Sequence, residues 1–284
     1  MGTTTSEPAT GEVLREWRES AEYWEKHAST IRNMFAPVTR ALIAEAGIVE
    51  GDKVLDVAGG PGEPAISIAE FVGPSGSVMS TDAVAEMVQA AEREANRRGI
   101  RNISFRRCSS DALPFDDKSF DAAVCRLGVM FFPDPVAGLR EMLRVIKAEG
   151  SVSLAVWGKS NDNPFSYVVT DVISRHIESP PADPTAPGAF RFAQPGLLAQ
   201  VLEDAGAKNV KERLVQFYIQ APINQRQFWE MRSQTSGTLR EKLEKLPKAK
   251  ANQIAEEVEQ AVGEFFPNGQ MKFPAQMLLV SGTR

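Results

Sequence analysis

Residues 54–65 read Val-Leu-Asp-Val-Ala-Gly-Gly-Pro-Gly-Glu-Pro-Ala, an apolar run that enters a cluster of glycines and leaves into helix-compatible sequence. Glycines at such a junction permit a tight turn and let a ligand approach the backbone, whose free N–H groups point outward. The stretch predicts a strand, a ligand-binding loop and a helix, the first unit of a parallel sheet. The same texture continues to Trp157, with short apolar runs at 53–58, 76–81, 102–107, 120–126 and 151–157 separated by helical patterns at 62–72, 84–98 and 134–147. Two further runs, 210–219 and 276–281, complete the set. The expected fold is α/β and Rossmann-like, a seven-stranded mostly parallel sheet with helices on both faces and an added helical cap.

The 284 residues are enough for one large domain or for a core with a smaller cap. The reading divides them into an N-terminal helical lid at 1–50, a cofactor-binding Rossmann-like core at 51–160, a cap at 161–208 and a segment at 209–284 that completes the sheet around inserted helices. After a polar tail of about ten residues, Glu12 to Ala28 predicts an amphipathic helix with Leu14, Trp17, Ala21 and Trp24 along one side. A second helix is expected from Ile31 to Ala46, broken at Pro37. Asn161 to Ile177 and Pro195 to Ala205 also read as helices. Between them lies the proline-rich 179–188 segment, a composition suited to a mobile lid or a connector. Gly2 and Ser6 fit the short N-myristoylation pattern, which carries meaning only in a eukaryotic host.

Composition narrows the partners. With 32 basic against 37 acidic side chains the net charge is −5, and proteins that grip nucleic acid or anionic membranes through phosphates usually carry a basic excess. No apolar run approaches the roughly 18 residues of a membrane span. Cys108 and Cys125 have neither CxxC spacing nor paired histidines, so neither a metal site nor a disulfide framework is expected. A cytoplasmic protein acting on a small molecule is the expectation, with the oligomeric state open.

Gly60-x-Gly62-x-x-Ala65 satisfies the dinucleotide fingerprint, and Asp82 follows where a ribose-binding carboxylate is expected. A nicotinamide-dependent oxidoreductase is therefore one reading. Asp56 and Glu63 flank the loop, however, and two carboxylates beside a pyrophosphate would repel it. They suit a ligand with an ammonium group near the glycines and a ribose near Asp82, which describes S-adenosylmethionine.

Four ordered pieces then resemble the class I S-adenosylmethionine-dependent methyltransferases, and among them the group related to ubiquinone and menaquinone biosynthesis methyltransferases. They are Val54 to Gly62, Ser80-Thr-Asp-Ala83 with Glu86-Met87, Ser110-Asp-Ala-Leu-Pro-Phe-Asp-Asp-Lys-Ser-Phe-Asp121, and Leu139 to Lys147 with Gly150. The resemblance implies that Asp82 accepts from the ribose hydroxyls. It also implies that Asp111 takes the adenine amino group beside Ser110 and the Ala112 N–H. Asp56, Ala58, Gly59, Gly60 and Gly62 would form the loop site, Ala83 and Met87 would flank it, and Arg126 and Leu127 would lie near the methionine part. Tyr23 and Trp24 would close over the cofactor. Ala58, where many members carry glycine, and Ala148-Glu149, where Pro-Gly is common, depart from the pattern.

The reaction so implied is in-line displacement of a methyl group onto an O, C or S atom of a small apolar acceptor, phenol-like or quinol-like. Cys125-Arg-Leu-Gly128 stands where base amino-methyltransferases carry an Asn/Asp-Pro-Pro-aromatic tetrad, which argues against nucleobase amines. His27 and His176 are the only histidines, and a lone histidine on a helix is more often a packing residue, so no catalytic base is assigned. A non-catalytic S-adenosylmethionine-binding protein is the remaining alternative.

Overall fold

The computed structural model describes residues 7–178, 183 and 185–284. The Gly2 and Ser6 pattern lies outside the described residues, as do 179–182 and 184 of the proline-rich segment. Two helices lead, α1 (Glu7–Lys26) and α2 (Ala28–Glu45). There follow β1 (Lys53–Val57), α3 (Ala65–Val72), β2 (Ser77–Asp82), α4 (Ala85–Arg98), β3 (Ile103–Arg107), β4 (Phe120–Arg126), α5 (Pro135–Val145) and β5 (Ile146–Trp157). After α6 (Pro164–Ser174) and α7 (Leu197–Asp204) come β6 (Lys208–Ala221), α8 (Gln225–Thr235), α9 (Gly237–Glu244), α10 (Lys248–Ala261) and β7 (Met271–Thr283).

The sheet order is β3-β2-β1-β4-β5-β7-β6, with β1 to β5 parallel and β7 antiparallel to both neighbours. Strands covered by helices on both faces must be apolar nearly throughout. Accordingly Val54, Leu55 and Val57 of β1 and Ala122 to Cys125 of β4 are buried. The chain leaves β1 toward β2 on one side and returns to β4 on the other, so a crevice opens at the carboxyl ends of β1 and β4.

Three local expectations are corrected. Among the described residues the first helix already runs from Glu7, ahead of the expected Glu12. The second runs through Pro37 without a break. Met34, Phe35, Val38 and Leu42 on either side of that proline all enter the main core, and their burial outweighs a penalty of about 3 kcal/mol. The helix expected over 134–147 ends at Val145, and β5 starts at Ile146 with a bulge. Phe120 pairs with Ile146 but Ala122 pairs with Ser151, which places Ala148-Glu149 in the extra loop of strand. Gly150 is required there, since a Cβ would stand 2.6 Å from the Asp121 carbonyl oxygen.

Candidate active site

The crevice is an elongated cavity whose floor is Val57 to Gly60. Asp82, Ala83, Val84 and Met87 form one side, leading to Cys108, Ser109 and Ser110 at one end, and Arg126, Leu127, Gly128 and Phe131 stand at the other. Helices α1 and α2 roof it with Leu14, Trp17 and Trp24, then Ala28, Ile31, Arg32 and Phe35. Spacings of three and four place these side chains on one face of each helix.

The glycine loop is held by its own backbone. Gly59 N–H donates to Thr81 O at 2.9 Å, Gly60 N–H to Asp82 Oδ2 at 3.0 Å and Gly62 N–H to Gly59 O at 3.2 Å. Pro61 has no N–H to offer. Asp82 Oδ1 accepts from Val84 N–H at 2.9 Å, so each carboxylate oxygen takes one backbone donor and keeps lone-pair capacity toward the cavity wall that it lines.

Ala58 sits at φ +57, a left-handed conformation that glycine adopts more easily. Its methyl group fills the space facing Gly128, where a Cβ would lie 2.6 Å from Ala58 Cβ and 2.9 Å from Cys125 Sγ. Gly128→Ala is expected to cost about 2 kcal/mol through overpacking. Ala58→Gly in the same chain should restore part of that loss, measured by urea unfolding of the single and double variants.

Of the residues named from sequence, Trp24, Ala58, Gly59, Gly60, Asp82, Ala83, Met87, Ser110, Arg126 and Leu127 line the cavity. Five do not. Tyr23 is about 100° around α1 from Trp24 and packs under the Arg240 guanidinium, 5.0 Å from its ring centre. Asp56 is fully buried beneath the loop. Gly62 serves packing: a Cβ there would meet Ile66 Cδ1 at 2.7 Å and Ala91 Cα at 3.3 Å. Asp111 is exposed and accepts from Ser109 Oγ, and the Ala112 N–H turns back to Ser109 O. His27 shares a 2.9 Å hydrogen bond with Gln234, and His176 pairs with Glu257 at 2.7 Å, both away from the cavity wall.

Trp17, Ile31, Arg32, Phe35 and Cys108 also line the cavity, although the sequence reading did not name them as cofactor-site residues, and so does Glu63, which that reading set beside the loop. The stripe through Leu14, Trp17 and Trp24 pointed toward the first of them. Trp17 meets Phe131 edge-on at 5.1 Å and Trp24 at 5.6 Å, and Trp24 Nε1 donates to Thr235 O at 2.9 Å, joining roof and rim.

The expected pair of carboxylates at the loop is not free. Glu63 accepts from Arg98 Nη1 at 3.1 Å and from Ser67 Oγ at 2.6 Å. Asp56 has no hydrogen-bond partner on either oxygen, and burial pushes its pKa well up, against the pull of Arg126. Burial likewise raises the Asp82 carboxyl against its backbone donors, raises the Cys108 thiol and lowers the pKa of the Arg126 guanidinium. What disfavours a pyrophosphate is therefore not repulsion by two open acids but the absence of a spare N–H from Gly59 to Gly62.

A carboxyl whose pKa rises on folding is still protonated in the folded protein at pH values where the unfolded chain has lost that proton. Its contribution to stability falls as pH climbs from the ordinary 3.8 through the raised value, and is flat above it. Asp56→Asn, neutral at every pH, is expected to narrow the stability difference between mildly acidic and neutral solution. Urea unfolding at the two pH values measures this, and an unchanged difference would place the titration elsewhere.

The ubiE/COQ5 methyltransferase family matches residues 37–169. The ubiquinone/menaquinone biosynthesis C-methyltransferase UbiE of Stenotrophomonas maltophilia is 41% identical over 112 residues, covering 39% of this chain and 44% of the relative. An uncharacterized protein of Mycobacterium tuberculosis is 34% identical over 131 residues, 46% of each chain. The chain thus spans less than half the length of the curated relatives it matches. The solved YcgJ protein of Bacillus subtilis shares the fold, with a TM-score of 0.54 at 19% identity over 89% of this chain and 98% of that one. Glycine loop, acidic β2 end and strand order occur together within this stretch, and over residues 37–169 the chain is similar to the ubiE/COQ5 methyltransferase family.

Proposed function

We propose that the protein transfers a methyl group from S-adenosylmethionine to a small apolar acceptor of phenol or quinol type. The observation that carries the reading is the loop whose N–H groups are already spent, set beside an Asp82 carboxylate with acceptor capacity left for ribose hydroxyls. In this reading Asp82 holds the ribose, Ser110 with Asp111 and Ala112 borders the adenine, and Arg126 and Leu127 flank the methionine part. The helices before β1 act as the lid. Bound S-adenosylmethionine supplies an electrophilic methyl group on a sulfonium.

The chain's own contribution is position and dryness. Holding the acceptor in line at near-attack distance is worth up to about 7–11 kcal/mol in well-oriented systems. The roof of Leu14, Trp17, Trp24, Ile31 and Phe35 keeps water from that space. Among the described residues no cluster of side chains suited to a metal occurs, and no helix is long and apolar enough to cross a membrane.

Calorimetry tests the reading. S-adenosylhomocysteine should bind and NAD should not; binding of NAD alone would return the oxidoreductase reading. Incubation with labelled cofactor and a panel of phenols and quinols should then label an acceptor. Tight binding with no transfer to any of them would favour the non-catalytic alternative.

A further inference from the structure

Among the described residues, the cavity wall at the end bounded by β4 and α2 carries two guanidinium groups and no unpaired carboxylate, the Asp56 carboxyl lying beneath that wall. Arg126 is buried, donates from Nη1 to Thr39 Oγ1 at 2.7 Å and from Nη2 to Glu63 O at 3.1 Å, and stands over the Phe35 ring. Its charge is faced by Asp56 and Glu63. Arg32 lies one helical turn from Phe35 on the same face of α2 and is half-buried in the cavity wall. Among the described residues it forms no ion pair, hydrogen bond or ring contact.

The remaining ionisable groups of the wall are engaged or lie elsewhere. Glu63 is held by Arg98 and Ser67, Asp82 by two backbone N–H groups and Glu94 by Arg97, and Cys108 stands at the opposite end. With His27 on Gln234 and His176 on Glu257, no side chain among the described residues at this end is placed to remove a proton from an acceptor. A wall with one unpaired cation and no base suits an acceptor that is ionised before it enters. It disfavours a cationic amine, which would meet the like charge of Arg32.

Resting on the methyltransferase reading above, we propose that the acceptor binds as a planar apolar anion whose negative oxygen is held by Arg32. The electron pair of the anion forms the new bond to the methyl carbon while the carbon–sulfur bond breaks and leaves its pair on sulfur. Anion and sulfonium become a neutral methylated product and a neutral thioether. No proton has to be placed in this step, which accounts for a working site without a general base.

The test uses the full chain saturated with S-adenosylhomocysteine, at mildly alkaline pH, with four probes: benzoate, 4-nitrophenolate, the neutral benzamide and the cationic benzylamine. Calorimetry should show the two anions binding at least about ten-fold more tightly than benzamide, with benzylamine weakest, as charge-assisted hydrogen bonds require. Arg32→Met should remove that preference while the affinity for S-adenosylhomocysteine stays within about two-fold. Arg32→Lys should keep most of the preference. Thermal unfolding of both variants shows that each is folded, the position being only half-buried.

Benzamide binding as well as benzoate, or no probe binding at all, would overturn the proposal. So would a ten-fold loss of S-adenosylhomocysteine affinity in Arg32→Met, which would assign Arg32 to the amino-acid carboxylate of the cofactor. Failure of the unaltered protein to bind S-adenosylhomocysteine would strike the methyltransferase reading itself, a separate result.

Discussion

Asp82→Ala is expected to weaken binding of S-adenosylhomocysteine by roughly 30- to 150-fold, about 2–3 kcal/mol, the value of losing charge-assisted hydrogen bonds to the ribose. The same change strips the acceptor from the Gly60 and Val84 N–H groups, so the loop itself should loosen. A stability cost of about 1–3 kcal/mol follows for donors left unsatisfied. Asp82→Asn keeps one carbonyl acceptor and should fall between the two. Calorimetry reads the affinity and urea unfolding the stability. An affinity within error of the unaltered protein would remove Asp82 from the site.

Two adjacent glycines should respond in opposite ways. A Cβ at Gly59 would stand 2.5 Å from Asp56 Oδ2 and 2.5 Å from Ser80 Oγ, both on buried side chains of β1 and β2. Neither can retreat without moving β1 or β2, so Gly59→Ala should cost at least about 3 kcal/mol. A Cβ at Gly60 would meet nothing within 4 Å, and the cost there is only that of alanine at φ +55, about 1 kcal/mol. That methyl group borders the cavity, so Gly60→Ala should impair S-adenosylhomocysteine binding far more than folding. Equal destabilisation by the two substitutions would mean that the loop is not packed on Asp56 and Ser80 as described.

The legibility of the fold in the sequence has a plain cause. Strands buried on both faces have little freedom of composition, so Val54 to Val57, Phe120 to Arg126 and Val152 to Trp157 announce themselves as apolar runs bounded by turn residues. Asp82 was legible because a strand end next to a glycine loop is a fixed place in a βα unit. Less legible were positions whose meaning depends on a partner distant in the chain. Glu63 reads as an open acid until Arg98, at the far end of α4, is seen across from it. Tyr23 and Trp24 are equally plausible lids in sequence, and only the rotation of α1 against α9 sends one to Arg240 and the other to the cavity.

Asp56 shows the same limit from the other side. Its type and spacing mark it as a ligand-facing carboxylate, yet the pleat of β1 turns it inward under Gly59, where its role is to back the loop. Arg32 carries no motif and was not named from sequence as a site residue; its interest arises only from the company it lacks.

By itself the sequence determined the seven strands, the loop and acid at the first crossover, and the aromatic stripe of the leading helix, because periodicity and turn chemistry are local properties of the chain. Tertiary structure alone decided which carboxylates are spent on neighbours, which guanidinium stays unpaired and which side chains face the cavity. Those outcomes depend on groups that packing brings together from opposite ends of the molecule.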